Sequence, residues 1–156
     1  MNTAQNLFAL GISIALVSGA AAFGALFPPG EWYGALEKPP FNPPAWVFGP
    51  AWTILYALMA VAAWLIWLRR DVQPVAVALG AYALQLVLNA AWSAIFFGAH
   101  AMGWAFAELC VLWVCIAAAI ALFWRVRPVA GVLLLPYIAW VTFAGILNFT
   151  IWRLNG

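Results

Sequence analysis

The sequence predicts an all-α integral membrane protein, a five-helix transmembrane bundle with a long structured loop between helices 1 and 2. Three observations carry that reading. Of 156 residues, 69% are hydrophobic and only 6% are charged, whereas soluble domains carry about 25% charged residues. The apolar residues gather in five runs, each close to the roughly 20 residues that cross a bilayer. Three of the four breaks between runs are only a few residues long, so successive helices should be antiparallel neighbours. Residues 1–156 thus form a single membrane domain.

The first run covers residues 5–27 and stops at Pro28-Pro29-Gly30. Its small residues Ser18 to Ala22 resemble a signal-peptide cleavage site. Residues 1–6 carry no Lys or Arg, and the run is longer than a signal core of about 7–15 residues, so it reads as a retained span. The second run, 45–68, ends at Arg69-Arg70-Asp71, and the third, 75–97, ends near Gly98 and His100. The fourth, 102–124, ends at Arg125-Val126-Arg127-Pro128. Cys110 and Cys115 within it fall on different helix faces, which argues for apolar fillers rather than a disulfide. The fifth, 129–152, ends at Arg153.

Five spans put the termini on opposite sides of the membrane. Arg69, Arg70, Arg125 and Arg127 fall on the N-terminal side, Lys38 and Arg153 on the other. The positive-inside rule then places the N-terminus in the cytoplasm and loop 28–46 outside. A bacterial membrane is the expected location. A net charge of +2, with no basic run beyond the two arginine pairs, predicts no nucleic-acid partner.

The connection between the first two runs is unlike the others. Glu31 to Tyr56 contains five prolines and three tryptophans, too apolar for an ordinary loop and too rich in proline for a helix. Pro39-Pro40 and Pro43-Pro44 stiffen it into extended and turn segments, while Glu31 to Leu36 can form one short helical turn. A stiff segment loses little entropy on ordering. The expected arrangement is a preformed lid on the open end of the bundle, with its aromatic groups pointing down.

Polar side chains inside spans are costly, so their positions are informative. Tyr82, Gln85, Asn89 and Ser93 form one stripe on the third span. Trp52, Tyr56 and Met59 share a face of the second, and Tyr137, Trp140, Ala144 and Asn148 a face of the fifth. Two readings of the stripe stand side by side: interhelical hydrogen bonding, or the placed polar groups of an apolar ligand cavity. Glu108, the one acid inside a span, is read as a protonated or hydrogen-bonded group, a snorkelling side chain or a site residue. Trp32, Trp46, Trp104, Trp124 and Trp152 lie near span ends, where tryptophans anchor to the interface. With one His and one Asp in the chain, no Ser-His-Asp set can be assembled, and no cluster has metal-ligand spacing. Electron exchange between tryptophans and a bound chromophore is the remaining chemical route.

The motifs Trp32-Tyr33-x-x-Leu36-x-Lys38-Pro39, Pro43-Pro44-x-Trp46-x-Phe48 and Trp52-x-x-Leu55-Tyr56-x-x-Met59 follow one another in order. So do Asn89-x-x-Trp92-x-x-x-Phe96-Phe97 and Pro136-Tyr137-x-x-Trp140 through Leu147-Asn148. Together they resemble the TspO/MBR family, the tryptophan-rich sensory proteins related to the mitochondrial translocator protein, over essentially the whole chain. The resemblance implies a five-helix bundle, usually a homodimer, whose first loop closes a ligand pocket. It implies porphyrins such as protoporphyrin IX and benzodiazepine- or isoquinoline-carboxamide-like drugs as ligands, with no cofactor required.

Carried over by position, the pocket would use Tyr33, Trp46, Trp52, Tyr56, Asn89, Phe96, Glu108, Trp140 and Ala144. Trp52 and Trp140 would also be the catalytic residues if the chain degrades porphyrin in light. Animal relatives bind cholesterol through a C-terminal motif with Tyr, where this chain has Phe149, so strong sterol binding is not expected. Phe41 stands where relatives often carry Trp. Three functions remain open: a tetrapyrrole receptor or transporter, a light-dependent porphyrin-degrading enzyme, and a structural membrane subunit.

Overall fold

A computed structural model of the protein describes residues 2–156. It is all-helical among those residues, with five spans. Helix α1 runs Thr3–Ala25, capped by the Asn2 side chain accepting from the Ala4 N–H at 3.2 Å. Pro28 and Pro29 cannot continue it, and Gly30, at φ +61°, turns the chain into a one-and-a-half-turn helix α2, Gly30–Ala35. Helix α3 runs Ala45–Trp67 and α4 runs Ala76–Ser93. A π-helical turn, Ala94–Gly98, continues α4. Helix α5 is Met102–Val126.

The expected single fifth span is divided into α6, Pro128–Leu133, and α7, Leu135–Asn155, with a break at Leu134. Pro136 sits at the start of α7 and has no N–H to give the preceding turn, which separates the two helices.

Helix α5 packs along α4 on one side and α7 on the other, and α1 packs against α3 and α4. The α3 backbone meets α6 closely but scarcely approaches α7. Small residues explain the tight end. Ala62, Ala63, Ala119 and Ala130 are buried there around Ile66, Ile116, Phe123 and Leu134. A Cβ on Gly131 would lie 2.9 Å from Trp124 Cε3 and 3.2 Å from its backbone nitrogen, so only glycine lets α6 cross α5. Gln73 ties this end by donating to the Val126 carbonyl at 3.0 Å. Ser13 and Trp64 join α1 to α3, through Ser13 to the Ala60 carbonyl at 2.6 Å and Trp64 Nε1 to the Asn6 carbonyl at 2.9 Å. The bundle is thus pinched at the arginine-bearing end and splayed between α3 and α7 at the other. Cys110 and Cys115 are both free thiols.

Candidate functional site

The splayed end holds a cavity of about 580 Å³, within the 300–1,000 Å³ usual for small-molecule sites. Its walls come from all five spans and the first loop. Helix α3 contributes Phe48, Trp52 and Tyr56, and α7 contributes Trp140 and Ala144. Helix α5 contributes Leu109 and Leu112, and α1 contributes Ala21 and Gly24. From α4 come Asn89, Trp92 and Ser93, and the π-turn adds Phe96 and Phe97. Its extra residue, marked by the Ala99 N–H donating to the Ala94 carbonyl at 2.8 Å, swings two consecutive rings onto the cavity side. No charged residue among those described lines the cavity.

Loop 28–44 covers this opening. Tyr33 meets Phe97 edge-on at 5.4 Å between ring centroids and Phe96 at 6.3 Å. Trp32 lies flat on His100 at 4.1 Å, with 9° between planes. His100 holds a left-handed backbone, φ 54°, unusual for a residue with a Cβ. Phe41 packs edge-on to Phe143 at 6.5 Å. Asn155 clamps the loop to the end of α7, accepting from the Glu37 N–H and donating to the Glu37 carbonyl, each at 2.8 Å. Lys38 Nζ stands 4.5 Å from the centre of the Tyr33 ring. Burial pushes the Tyr33 hydroxyl above its ordinary range, with Asn42 beside it opposing the shift.

The deep wall is aromatic. The Trp52 and Trp140 rings stand edge-to-face, 6.4 Å apart and inclined by 83°, with Phe48 5.9 Å from Trp140. Neither indole N–H has an acceptor among the described residues, unlike Trp92, whose Nε1 donates to Asn148 Oδ1 at 3.1 Å. Behind the floor lies a chain of hydrogen bonds. Tyr56 Oη donates to Asn89 Oδ1 at 2.6 Å, Asn89 Nδ2 to Tyr137 Oη at 2.8 Å, and Tyr137 Oη to Gln85 Oε1 at 2.8 Å. Gln85 bonds between helices and does not reach the cavity, whereas Asn89 does both.

Of the nine positions expected to form the pocket, seven meet around this one cavity: Tyr33, Trp52, Tyr56, Asn89, Phe96, Trp140 and Ala144. Two do not, and their expected placement is corrected. Trp46 is 74% exposed. Ala45, Phe48 and Trp52 take the inner face of α3 at three- and four-residue spacing, which turns Trp46 outward as an interfacial anchor. Glu108 does not line the cavity either, but for a different reason. It flanks the buried face of α5 formed by Ala105, Leu109, Leu112 and Ile116, packed beside the cavity and not turned outward. Both its carboxyl oxygens are enclosed without a hydrogen-bond partner.

Sequence reasoning missed α1 as a wall. The signal available was the pair of small residues Ala20 and Gly24 at four-residue spacing, which permits close helix approach. Gly24 faces Ser93 of α4 at the cavity edge, where a Cβ would stand 3.4 Å from Ser93 Oγ, an ordinary contact. Phe149 points outward, 5.2 Å from Phe106, and takes no part in the cavity.

Fold and site together define a multi-pass helical membrane protein built around an apolar, aromatic cavity beneath a structured loop. The sequence profile of the TspO/MBR family matches residues 11–153, and the chain belongs to that family. It is 42% identical to Protein CrtK of Rhodobacter capsulatus over 137 residues, 87% of this chain and 86% of that protein. It is 41% identical to the translocator protein of Homo sapiens over 152 residues, 94% of this chain and 89% of that protein. A tryptophan-rich sensory protein of Cereibacter sphaeroides is 43% identical over 142 residues, 91% of this chain and 88% of that protein.

Proposed function

We propose that this chain is a membrane receptor or transport-type protein that binds tetrapyrroles, with protoporphyrin IX as the type ligand, beneath the first-loop lid. The observation that carries the reading is the composition of the cavity wall: flat rings of Trp52, Trp140, Phe48 and Phe96 around about 580 Å³, uncharged, with Asn89 as a placed polar group. Such a wall suits the faces of a planar macrocycle and meets one polar edge of it. Benzodiazepine- or isoquinoline-carboxamide-like compounds have the same flat apolar character. The free indole N–H groups of Trp52 and Trp140 would donate to an acceptor on either kind of ligand.

Titrating the protein in nanodiscs with protoporphyrin IX, read by tryptophan fluorescence quenching, tests this. Saturable binding weakened in Trp140→Phe and Asn89→Ala is expected. Unchanged affinity in both variants would overturn the placement. Absence of saturable binding would favour a structural subunit instead.

The Trp52–Trp140 edge-to-face pair favours one second reading, light-driven porphyrin degradation. An excited porphyrin would take one electron from an indole, leaving a porphyrin radical anion and an indole radical cation. Bleaching under illumination at the same rate in the Trp52→Phe/Trp140→Phe double variant would exclude it.

For assembly, we propose a homodimer in the bilayer. Ala20 and Gly24 are used inside the bundle, so the outward small pair Ala117 and Ala121 is the site to probe by cross-linking. The orientation that follows from the arginine distribution puts the lid outside the cytoplasm.

A further inference from the structure

Three fully or nearly fully buried side chains behind the cavity floor have no part in the reading above: Met59, Gln85 and Tyr137. We infer that Gln85 sets the hydrogen-bond polarity of the floor, acting through Tyr137 to fix which end of the Asn89 amide faces which hydroxyl. The inference deepens the ligand-binding reading and rests on it for its functional consequence.

Met59 is completely buried on α3. A thioether accepts weakly and cannot donate. Gln85 Nε2 lies 3.8 Å from Met59 Sδ. Reversing the Gln85 amide would turn its oxygen toward an atom with no proton to give, in a place where water does not compete. The amide oxygen therefore faces Tyr137, whose hydroxyl lies 2.8 Å away.

A phenol has one proton, and here it goes to Gln85. Tyr137 Oη can then only accept from Asn89, so Asn89 must present Nδ2 to it, at 2.8 Å. That leaves Asn89 Oδ1 to take the proton of Tyr56, at 2.6 Å. Four side chains on three helices thus share one direction of donation, set at the end farthest from the cavity. The second N–H of Asn89 has no acceptor among the described residues, and it is the one the floor keeps for a ligand acceptor, on the Tyr137 side. Trp52, 6.3 Å from the Tyr137 ring, carries its unpaired indole N–H on the same wall.

Removing the Gln85 acceptor frees the Tyr137 proton for Asn89 Oδ1. The Asn89 amide then reverses, and its N–H groups turn toward Tyr56. Gln85 is therefore a positioning residue, one that touches no ligand.

The test uses the full chain in nanodiscs. In ligand-free protein labelled with ¹⁵N at asparagine side chains, through-space proton contacts report the orientation of Asn89. Wild type and Gln85→Glu, which keeps a carbonyl acceptor toward Tyr137, should connect the Asn89 amide protons to the Tyr137 ring. Gln85→Leu should connect them to Tyr56. In protoporphyrin IX titrations, Gln85→Leu should weaken binding about three- to tenfold, the size of one neutral hydrogen bond, with Gln85→Glu staying within about twofold of wild type.

The same Gln85→Leu change should be silent in a Tyr137→Phe background, because the link it acts through is gone. Amide contacts to Tyr56 in wild type, or a penalty that persists in Tyr137→Phe, would overturn the inference. If Gln85→Leu does not fold, the unbranched Gln85→Met carries the same test. If wild type fails to bind porphyrin, the proposed function falls while the amide contacts still decide the polarity.

Discussion

Asn155 is one side chain whose removal should loosen the lid without touching the cavity. It makes two hydrogen bonds to Glu37, each 2.8 Å, and a third to the Ile151 carbonyl of its own helix at 2.8 Å. Asn155→Ala removes both bonds to the loop. A neutral hydrogen bond contributes about 0.5–1.5 kcal/mol net. The clamp is exposed to solvent, so the lower half of that range applies. The pair then contributes about 1–2 kcal/mol, and its loss should raise the frequency of lid opening roughly five- to thirtyfold.

Amide hydrogen exchange of the protein in nanodiscs reads this directly. Leu36, Glu37 and Asn42 carry the reporting amides, each hydrogen-bonded in the closed loop, since Pro39 and Pro40 have none. Their exchange should accelerate by that factor while α5 is unaffected. Asn155→Asp keeps an acceptor for the Glu37 N–H and loses the donors, so it should fall between wild type and alanine. Unchanged protection at Glu37 and Asn42 in the alanine variant would refute the clamp. The Trp32–His100 and Tyr33–Phe97 contacts would then be holding the lid alone.

Four further outcomes are expected. Gly131→Val forces a branched side chain against the Trp124 backbone and should cost about 1–3 kcal/mol, seen as a lower thermal midpoint; an unchanged midpoint would contradict the tight α5–α6 crossing. Ala144→Leu places an isobutyl group in the cavity beside Trp140 and should weaken porphyrin binding by about tenfold or more while the fold is retained; undiminished affinity would place the ligand elsewhere. Trp46→Ala should leave porphyrin affinity within about twofold, because this ring faces outward; a large loss would restore it to the pocket. Burial favours the neutral Tyr33 hydroxyl. Its contribution to the closed lid should be complete below pH about 10 and disappear as pH rises through the raised value. Absorbance at 295 nm compared with Tyr33→Phe would show phenolate forming at or below the ordinary tyrosine range if that is wrong.

The spans and the lid were legible because they rest on local or additive properties. Apolar length marks a span wherever the chain lies in lipid, and Pro28-Pro29 stop a helix whatever packs against it. The face shared by Trp140 and Ala144, and the stripe through Gln85 and Asn89, follow from helical period alone. The break at Leu134 was also within reach, since Pro136 is visible in the sequence, but it falls inside an apolar run that hydropathy alone does not divide. Trp46 was misplaced because a motif names residue types in order, while a rotation of about 100° between adjacent residues decides which one turns inward. Glu108 is enclosed, but beside the cavity, which depends on how the neighbouring helices pack.

By itself the sequence determined that this chain spans a membrane five times, that a proline-stiffened loop follows the first span, and which residues share each helix face. Only the tertiary structure decided which faces meet. It pinched α3 against α6 through small residues, splayed α3 from α7 to leave the cavity, and brought Tyr56, Asn89, Tyr137 and Gln85 into one hydrogen-bond chain. The physical reason is that helix period is a property of one segment. Cavities and hydrogen-bond polarity depend instead on how far apart several segments stop, and on the atom each finds opposite it.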